Sequence, residues 1–543
     1  MKKQSVFLLA IMVMAAVSSA SPNSAEYISQ SVPTSFTAGS NFTVSIIMKN
    51  TGTRTWTTSC GLGSQNPADN YTWGRHRVYL TSNVAPGSNV TFSFTCTAPT
   101  TPGNYNFQWR MLEETVEWFG DVTPNVVIAV GGPSSPLFEL STIPKGLGVN
   151  VPGRGAEYVR VPDEAGLKFI RMDFTWSAVE QQKGVYNFAI YDAQVQEASN
   201  RNVGIIYILD YENKLYCSDK SCQTDAERNA FAAFAGAAAA RYAGKKILWE
   251  IWNEPNGNFW SPQPSDDAYT KLVEVTAPRI RAADPTAIVL APSMSRFTGQ
   301  WEWLENCFKR GLLNWIDAVT VHPYRNARPE DVISDYDRLR GLINTYAPGR
   351  NIPIISGEWG YSLIPEGEPR ITEEQQAQYL ARMFLVNIYQ GVPLSIWYCI
   401  YNGPDPDGPD ARERNFGLIK WDGTKKPNYF AAQTICQKLA GYSYYERLDV
   451  GSGDDYILKL RKGQNEALAM WTAGGPHQGH IVTLPIAAGK GRLIQMLGKE
   501  SSISWGSSGL TLGISRSPQY LLIGAEDTTP PAVRAVVGRP RVN

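Results

Sequence analysis

The chain is predicted to fold as a (β/α)8 barrel with an all-β sandwich before it and a small β domain after it. Three observations carry that prediction. Between residues 137 and 440, short apolar runs alternate with stretches of helical length and period, the signature of a parallel sheet covered by helices. Residues 22–130 and 441–525 alternate polar and apolar side chains over short spans broken by turn residues, as half-buried antiparallel strands do. Polar residues gather at the C-terminal ends of the apolar runs in the middle part, where a barrel builds its working face.

The 543 residues exceed one domain, at a prior of about 150 residues each. The chain opens with Met1-Lys2-Lys3, an apolar run at 6–17 and Ser18-Ser19-Ala20. This reads as a signal peptide over 1–20, too short in its apolar part to span a bilayer. No cysteine follows directly, so the expectation is a secreted soluble protein without a lipid anchor.

In 22–130, Phe42-Thr43-Val44-Ser45-Ile46-Ile47-Met48 and Val90-Thr91-Phe92-Ser93-Phe94 are strand patterns, and Asn50-Thr51-Gly52 and Ala85-Pro86-Gly87 are turns. Trp56, Trp73, Trp109-Arg110 and Trp118-Phe119-Gly120 follow at spacings that resemble the immunoglobulin-like domain with four tryptophans. Gly131-Gly132-Pro133-Ser134-Ser135-Pro136 is a linker by composition.

The barrel strands are expected at 146–151, 168–174, 203–210, 247–254, 287–293, 316–324, 352–359 and 394–400. Helices are expected at 226–242, 266–282, 331–346 and 373–389, with a closing helix at 427–440. The tail 526–543 has no pattern and is expected to be disordered.

Lys+Arg and Asp+Glu are equal at 50 each, so no field favours a nucleic-acid or anionic-membrane partner. With only four His and no Cys/His cluster at metal spacing, no metal and no cofactor are expected. Of seven Cys, Cys60/Cys96 and Cys217/Cys222 are the pairs expected to bond in an oxidising compartment.

Reading the strand ends in order gives Arg171 and Asp173, Asp210 and Tyr211, Asn253 and Glu254, Ser293, His322 and Tyr324, Glu358 and Trp359, then Trp397 and Tyr398. Two glutamates at separate strand ends supply what glycoside cleavage needs, one acid to protonate the leaving oxygen and one carboxylate to attack or to activate water. The residues alone do not say which glutamate does which. Glu250, two alternations before Glu254, is expected to support the site from below. Trp176, Trp252, Trp260 and Trp359 can serve equally as sugar subsites or as packing.

Trp252-Asn253-Glu254-Pro255-Asn256, Val321-His322-Pro323-Tyr324, Ser356-Gly357-Glu358-Trp359-Gly360 and Ser395-Ile396-Trp397-Tyr398 resemble clan A of the retaining glycoside hydrolases. The likeness within the clan is to glycoside hydrolase family 39 in its bacterial endoglycosidase branch. It rests on Asp210-Tyr211-Glu212-Asn213, Asn415-Phe416-Gly417-Leu418 and Lys426-Pro427. Family 5 is the neighbour, but the histidine it often carries after the third strand is missing here.

The resemblance implies Glu254 as general acid/base and Glu358 as nucleophile. It implies that Arg171 and Tyr324 hold Glu358, that Asn253 bonds the sugar 2-hydroxyl, and that His322 joins the same network. Trp397 would floor the cleaved-sugar subsite, helped by a cis Trp397–Tyr398 peptide. Asp210, Tyr211 and Trp359 would bind substrate or support the site. The expected activity is endo-acting hydrolysis of β-glycosidic bonds in a polysaccharide or oligosaccharide. An exo-acting, xylosidase-like enzyme and a non-catalytic carbohydrate-binding protein are the alternatives.

Overall fold

A computed structural model describes residues 21–33, 35–37, 39–99, 103–131, 136–474 and 479–524. The signal-peptide reading at 1–20 and the tail at 526–543 lie outside them, as does most of the linker. The chain divides into two compact units, 1–134 with 348–351, and 135–347 with 352–543.

The first unit is all β. One sheet joins Ala25–Ser31, Asn41–Asn50 and Asn89–Thr97, and another joins Arg77–Tyr79, Cys60–Ser64, Trp109–Glu113 and Glu117–Val122. A third joins Ser35–Thr37, Val126–Gly131 and Gly103–Phe107. The alternation in Asn41–Asn50 buries Phe42, Val44, Ile46 and Met48 on one face. Trp56, Trp73 and Trp109 are core, whereas Trp118 is half-buried under the Arg77 guanidinium, 5.0 Å from its ring. Buried Asn50 makes its turn by bonding Arg54 and Val84 carbonyls and accepting from the Gly52 amide, at 2.9–3.0 Å.

In the second unit, eight parallel strands close into a barrel: Leu147–Asn150, Phe169–Thr175, Gly204–Asp210, Ile247–Ile251, Ile288–Ser295, Ala318–His322, Ile354–Trp359 and Ser395–Trp397. Leu147 pairs with Ser395 to complete the ring. Both faces of the sheet are covered, which is why the strands read as apolar runs. Helices Asp225–Arg241, Asp266–Ala283, Val332–Tyr346, Glu373–Tyr389 and Pro427–Lys438 fall where expected. Helices Glu157–Glu164, Ala189–Arg201 and Trp301–Lys309 complete the outer ring.

Inside the barrel, Phe169, Ile206, Leu248, Leu290, Ala318, Ile355 and Ile396 form an apolar layer, joined by Leu137 from the short helix Pro136–Ser141. Side chains two residues further along a strand point the same way, one level higher. The next level therefore holds Asn150 above Gly148, Arg171 above Phe169, Glu250 above Leu248, Thr320 above Ala318 and Tyr398 above Ile396. Polar chemistry begins one layer above a packed foundation.

The C-terminal β part has a six-stranded sheet and a two-stranded ribbon around Ile457, Leu468, Met470, Leu484 and Leu521. It is fastened to the barrel through buried Glu330, which accepts from Arg382 Nε at 2.8 Å and from the Trp471 indole at 2.7 Å.

All seven cysteines are free thiols. The expected Cys60–Cys96 bond is absent; the two residues are buried free thiols on different sheets of the sandwich. Cys217 and Cys222 are unbonded as well, with sulfurs 3.8 Å apart in one loop.

Candidate active site

Arg171 is the hub. It is fully buried, and all three nitrogens of its planar fork are engaged. Nε donates to Glu250 Oε2 at 2.7 Å and Nη1 to Glu358 Oε2 at 2.7 Å. Nη2 reaches Asn253 Oδ1 at 2.8 Å, Ser293 Oγ at 3.0 Å and His322 Nε2 at 3.1 Å. Burial by itself would lower the guanidinium pKa, but Glu250 and Glu358 reverse this and raise it, so the cation is permanent.

Glu358 accepts from Arg171 and from Asn150 Nδ2 (3.2 Å) on Oε2, and from the Tyr324 hydroxyl (2.8 Å) on Oε1. It should point outward if the strand alternated strictly, since Ile355 faces the inner layer. The register shifts between Ser356 and Trp359, and this irregularity turns Gly357 and Glu358 inward together. A β-carbon on Gly357 would stand 3.3 Å from Glu250 Oε1, so glycine leaves room for that carboxylate. The fifth strand does the same between Pro292 and Met294, where Ser293 at φ 56° turns its hydroxyl to Arg171.

Glu254 lies beyond the end of its strand at Ile251, in a turn where Trp252 and Glu254 take left-handed φ values of 67° and 46°. Such backbone costs about 1–3 kcal/mol per residue and persists where the surroundings enforce it. Here Asn256 enforces it, exchanging two 2.9 Å hydrogen bonds with the Ser295 backbone. Oε1 of Glu254 lies 2.8 Å from His322 Nδ1.

Because Nε2 of His322 faces the donor-only Arg171, that nitrogen accepts and Nδ1 carries the hydrogen to Glu254. Burial, opposed by Glu358 and aided by Arg171, pushes the imidazole pKa down to about 4, so the ring is neutral. Burial also raises the Glu254 carboxyl, against the lowering influence of Ser295, Arg171 and Arg296.

Oxygens of Glu254 and Glu358 and a nitrogen of His322 all lie within 4.8 Å of one another. Two carboxylates and an imidazole are also a metal-ligand set. Here, however, both ring nitrogens are engaged and one of them faces a cation, so the constellation suits proton chemistry.

The other expected residues separate into two groups. Tyr211, Asn253 and Tyr324 line the cleft, and Asn253 Nδ2 donates to the Tyr211 hydroxyl at 3.2 Å. Asp210 is fully buried beneath them; burial and then the neighbouring Asp173 raise its carboxyl well above the usual range, so it is a neutral acid. Trp359 and Trp397 do not line the cleft. They pair with each other on the outer face of the sheet, fully buried among helix residues. Trp397 donates its indole hydrogen to the Phe416 carbonyl at 3.1 Å.

The expected floor is thus corrected by one residue. Ile396 faces in, Trp397 out and Tyr398 in, so Tyr398 borders the cleft. The non-proline cis peptide at this strand end is likewise Tyr398–Cys399, not Trp397–Tyr398, and a second lies at Asp210–Tyr211. Trp176, Trp252 and Trp260 are fully buried packing.

The family model Cellulase (glycosyl hydrolase family 5) matches residues 137–402, the barrel from its basal helix to the loop after the eighth strand. Over that span, just under half of the chain, the barrel is similar to clan A of the glycoside hydrolases. A family 39 glycoside hydrolase from Bacteroides cellulosilyticus WH2 superposes on this chain with a TM-score of 0.61 at 21% identity, covering 90% of this chain and 98% of that one. The family 39 enzyme from Xanthomonas axonopodis pv. citri gives 0.52 at 18%, covering 70% and 93%. These two share the fold. A β-xylosidase from Geobacillus stearothermophilus is 26% identical over 245 residues, 41% of this chain and 46% of that protein, so under half of that relative's length is matched. Residues 31–130 match the model Ig-like domain from next to BRCA1 gene.

Asn150 escaped the strand-end reading, although its position at the close of the first strand was the available signal. Tyr398, Phe259 and Trp421 also line the barrel's cleft. The last two stand on loops, where no periodicity points to them.

Proposed function

We propose that this chain is a retaining glycoside hydrolase that cleaves β-glycosidic bonds in an oligosaccharide or polysaccharide by double displacement. Glu254 is the general acid/base and Glu358 the nucleophile. The observation that carries the reading is the closeness of the two carboxylates in unlike surroundings. Oxygens within 4.8 Å of each other agree with the separation of about 5–5.5 Å used for retention, not the roughly 6.5–9.5 Å that admits a water.

Glu358, held by Arg171, Tyr324 and Asn150, is kept aimed as an acceptor. Glu254, raised by burial and gripped on Oε1 by His322, leaves Oε2 to carry the proton. In the first step Glu358 bonds to the anomeric carbon while Glu254 gives its proton to the departing oxygen, which leaves as an alcohol. In the second, Glu254 takes a proton from water, the water oxygen bonds to the anomeric carbon and Glu358 is released. The second Nδ2 hydrogen of Asn253 is available for the sugar 2-hydroxyl, a bond that strengthens as the transition state forms.

Endo-action is supported by the cleft, about 1270 Å3, larger than the roughly 300–1,000 Å3 of a site for one small ligand. The β-xylosidase relative supports xylan-type chains as the first substrates to try, and exo-action as the second reading. Export is part of the proposal and rests on residues 1–20. Among the described residues no helix is long and apolar enough to cross a membrane.

The deciding experiment is incubation with a 2-deoxy-2-fluoro β-xyloside and its glucoside counterpart, followed by peptide mass mapping. Label on Glu358 is expected. Label elsewhere, or proton NMR showing inverted first-formed anomer, would overturn the reading.

A further inference from the structure

The barrel mouth carries two exposed aromatic residues that the core does not need. Phe259 follows the fourth strand, is 37% exposed and lines the cleft. Its ring lies parallel to that of Tyr211, centroids 5.5 Å apart at 9°. Trp421 follows the eighth strand, is 69% exposed and lines the same cleft.

Trp421 is not the tip of a loose loop. Ile419 and Lys425 form an antiparallel bridge, the Lys420 amide donates to Thr424 at 2.8 Å, and Gly423 turns the hairpin with φ +88°. The base is held by the Ile419 amide on the Ile400 carbonyl at 2.9 Å and by buried Lys426, whose Nζ donates to Gly417 at 2.8 Å. A salt bridge of 2.8 Å from Lys420 to Glu373 ties the hairpin to a helix. A large indole held rigidly in water over a binding cleft is a surface that a ligand covers.

In a closed ring of eight, the fourth and eighth strands stand opposite each other. Phe259 and Trp421 stand on the loops that follow these two strands, and both line the cleft that holds Glu254 and Glu358. We infer that Phe259 and Trp421 are stacking platforms for sugar rings on either side of the cleavage point, so that the cleft grips an unbranched β-linked chain and cuts inside it. Flat aromatic faces match the C–H faces of equatorially substituted rings. The cleft volume noted above holds more than one ring. This inference rests on the hydrolase reading proposed above and deepens it to a substrate class.

The test uses the full chain with Trp421→Ala, Trp421→Phe and Phe259→Ala on β-1,4-linked xylo-oligosaccharides of two to six rings. Trp421→Ala is expected to lower kcat/KM on the six-ring substrate about tenfold more than on the two-ring one, chiefly through KM, with Trp421→Phe restoring most of it. Phe259→Ala is expected to show the same length dependence. A loss equal at every length, or no loss, would overturn the inference.

A second arm runs native gels containing xylan, mixed-linkage β-glucan or mannan. Retardation of the wild type by at least one polymer, reduced in Trp421→Ala, supports the platform. No retardation by any of them, or equal retardation of wild type and variant, counts against it. Retardation without hydrolysis of any substrate would count against the hydrolase reading while leaving the platform standing.

Discussion

The His322 ring bridges the two glutamates' surroundings, its Nδ1 lying 2.8 Å from Glu254 Oε1 and its Nε2 3.1 Å from the Arg171 guanidinium that holds Glu358. One neutral imidazole thus orients Glu254 and abuts the cation that holds Glu358. The two carboxylates are set apart in character by this chain of contacts rather than by distance.

Glu254→Gln and Glu358→Gln should each lower turnover by about 10²–10⁴-fold while leaving the fold intact. Because burial raises the Glu254 carboxyl, wild-type turnover should fall as pH rises through that raised value, when the acid form is lost. In Glu254→Gln this alkaline limb should vanish. A pH–rate profile of both proteins, with circular dichroism as control, decides; an unchanged limb would remove Glu254 from the acid role.

His322 should make the protein acid-sensitive. Its folded pKa of about 4 lies below the ordinary 6.5, so the unfolded chain binds the extra proton between those values. Stability is then full above pH 6.5 and falls as pH drops to 4, by about 3 kcal/mol in all. His322→Gln should be less stable at neutral pH but flatter across that window. Parallel denaturant curves with the same slope in both proteins would contradict this.

Asp210 has the opposite sign. Its carboxyl is raised by burial and by Asp173, so the folded state holds a proton that the unfolded chain has released, and stability falls as pH rises above the ordinary carboxylate value. Asp210→Asn, isosteric and uncharged, should gain melting temperature relative to wild type as pH goes from 4 to 8. A pH-independent difference would show that Asp210 is not held as the acid.

Tyr398 should take the role that sequence reading assigns to Trp397. Trp397→Ala empties a fully buried site and should cost about 3–5 kcal/mol of stability, with Trp397→Phe keeping most turnover. Tyr398→Ala, on the cleft side, should lower turnover with a smaller change in melting temperature. Thermal melts and kcat/KM on the same preparations separate the two; the reverse pattern would restore Trp397 as the sugar floor.

The eight strands were legible because both faces of the sheet are covered, which turns each strand into an apolar run ending in polar residues. The helix Ala189–Arg201 was not, since only Tyr191, Gln194, Val195 and Ala198 of it are buried and no stripe stands out. The glutamates could be placed at strand ends, but not their aim: Glu358 turns inward at a register shift, and Glu254 sits in left-handed backbone past Ile251. Apolar runs do not encode such breaks. The Trp397 assignment failed on phase alone, because a run buried on both faces does not say which of two neighbours faces the lumen. Phe259 and Trp421 depend on loop shape, which has no period.

The charge network hangs from strand ends, whereas Phe259 and Trp421 hang from the loops that follow. On the proposed reading, reaction and choice of chain are therefore built from separate parts of the fold. Remodelling the Lys420–Lys425 hairpin would then redirect the protein to another polymer without disturbing a hydrogen bond to Glu254 or Glu358.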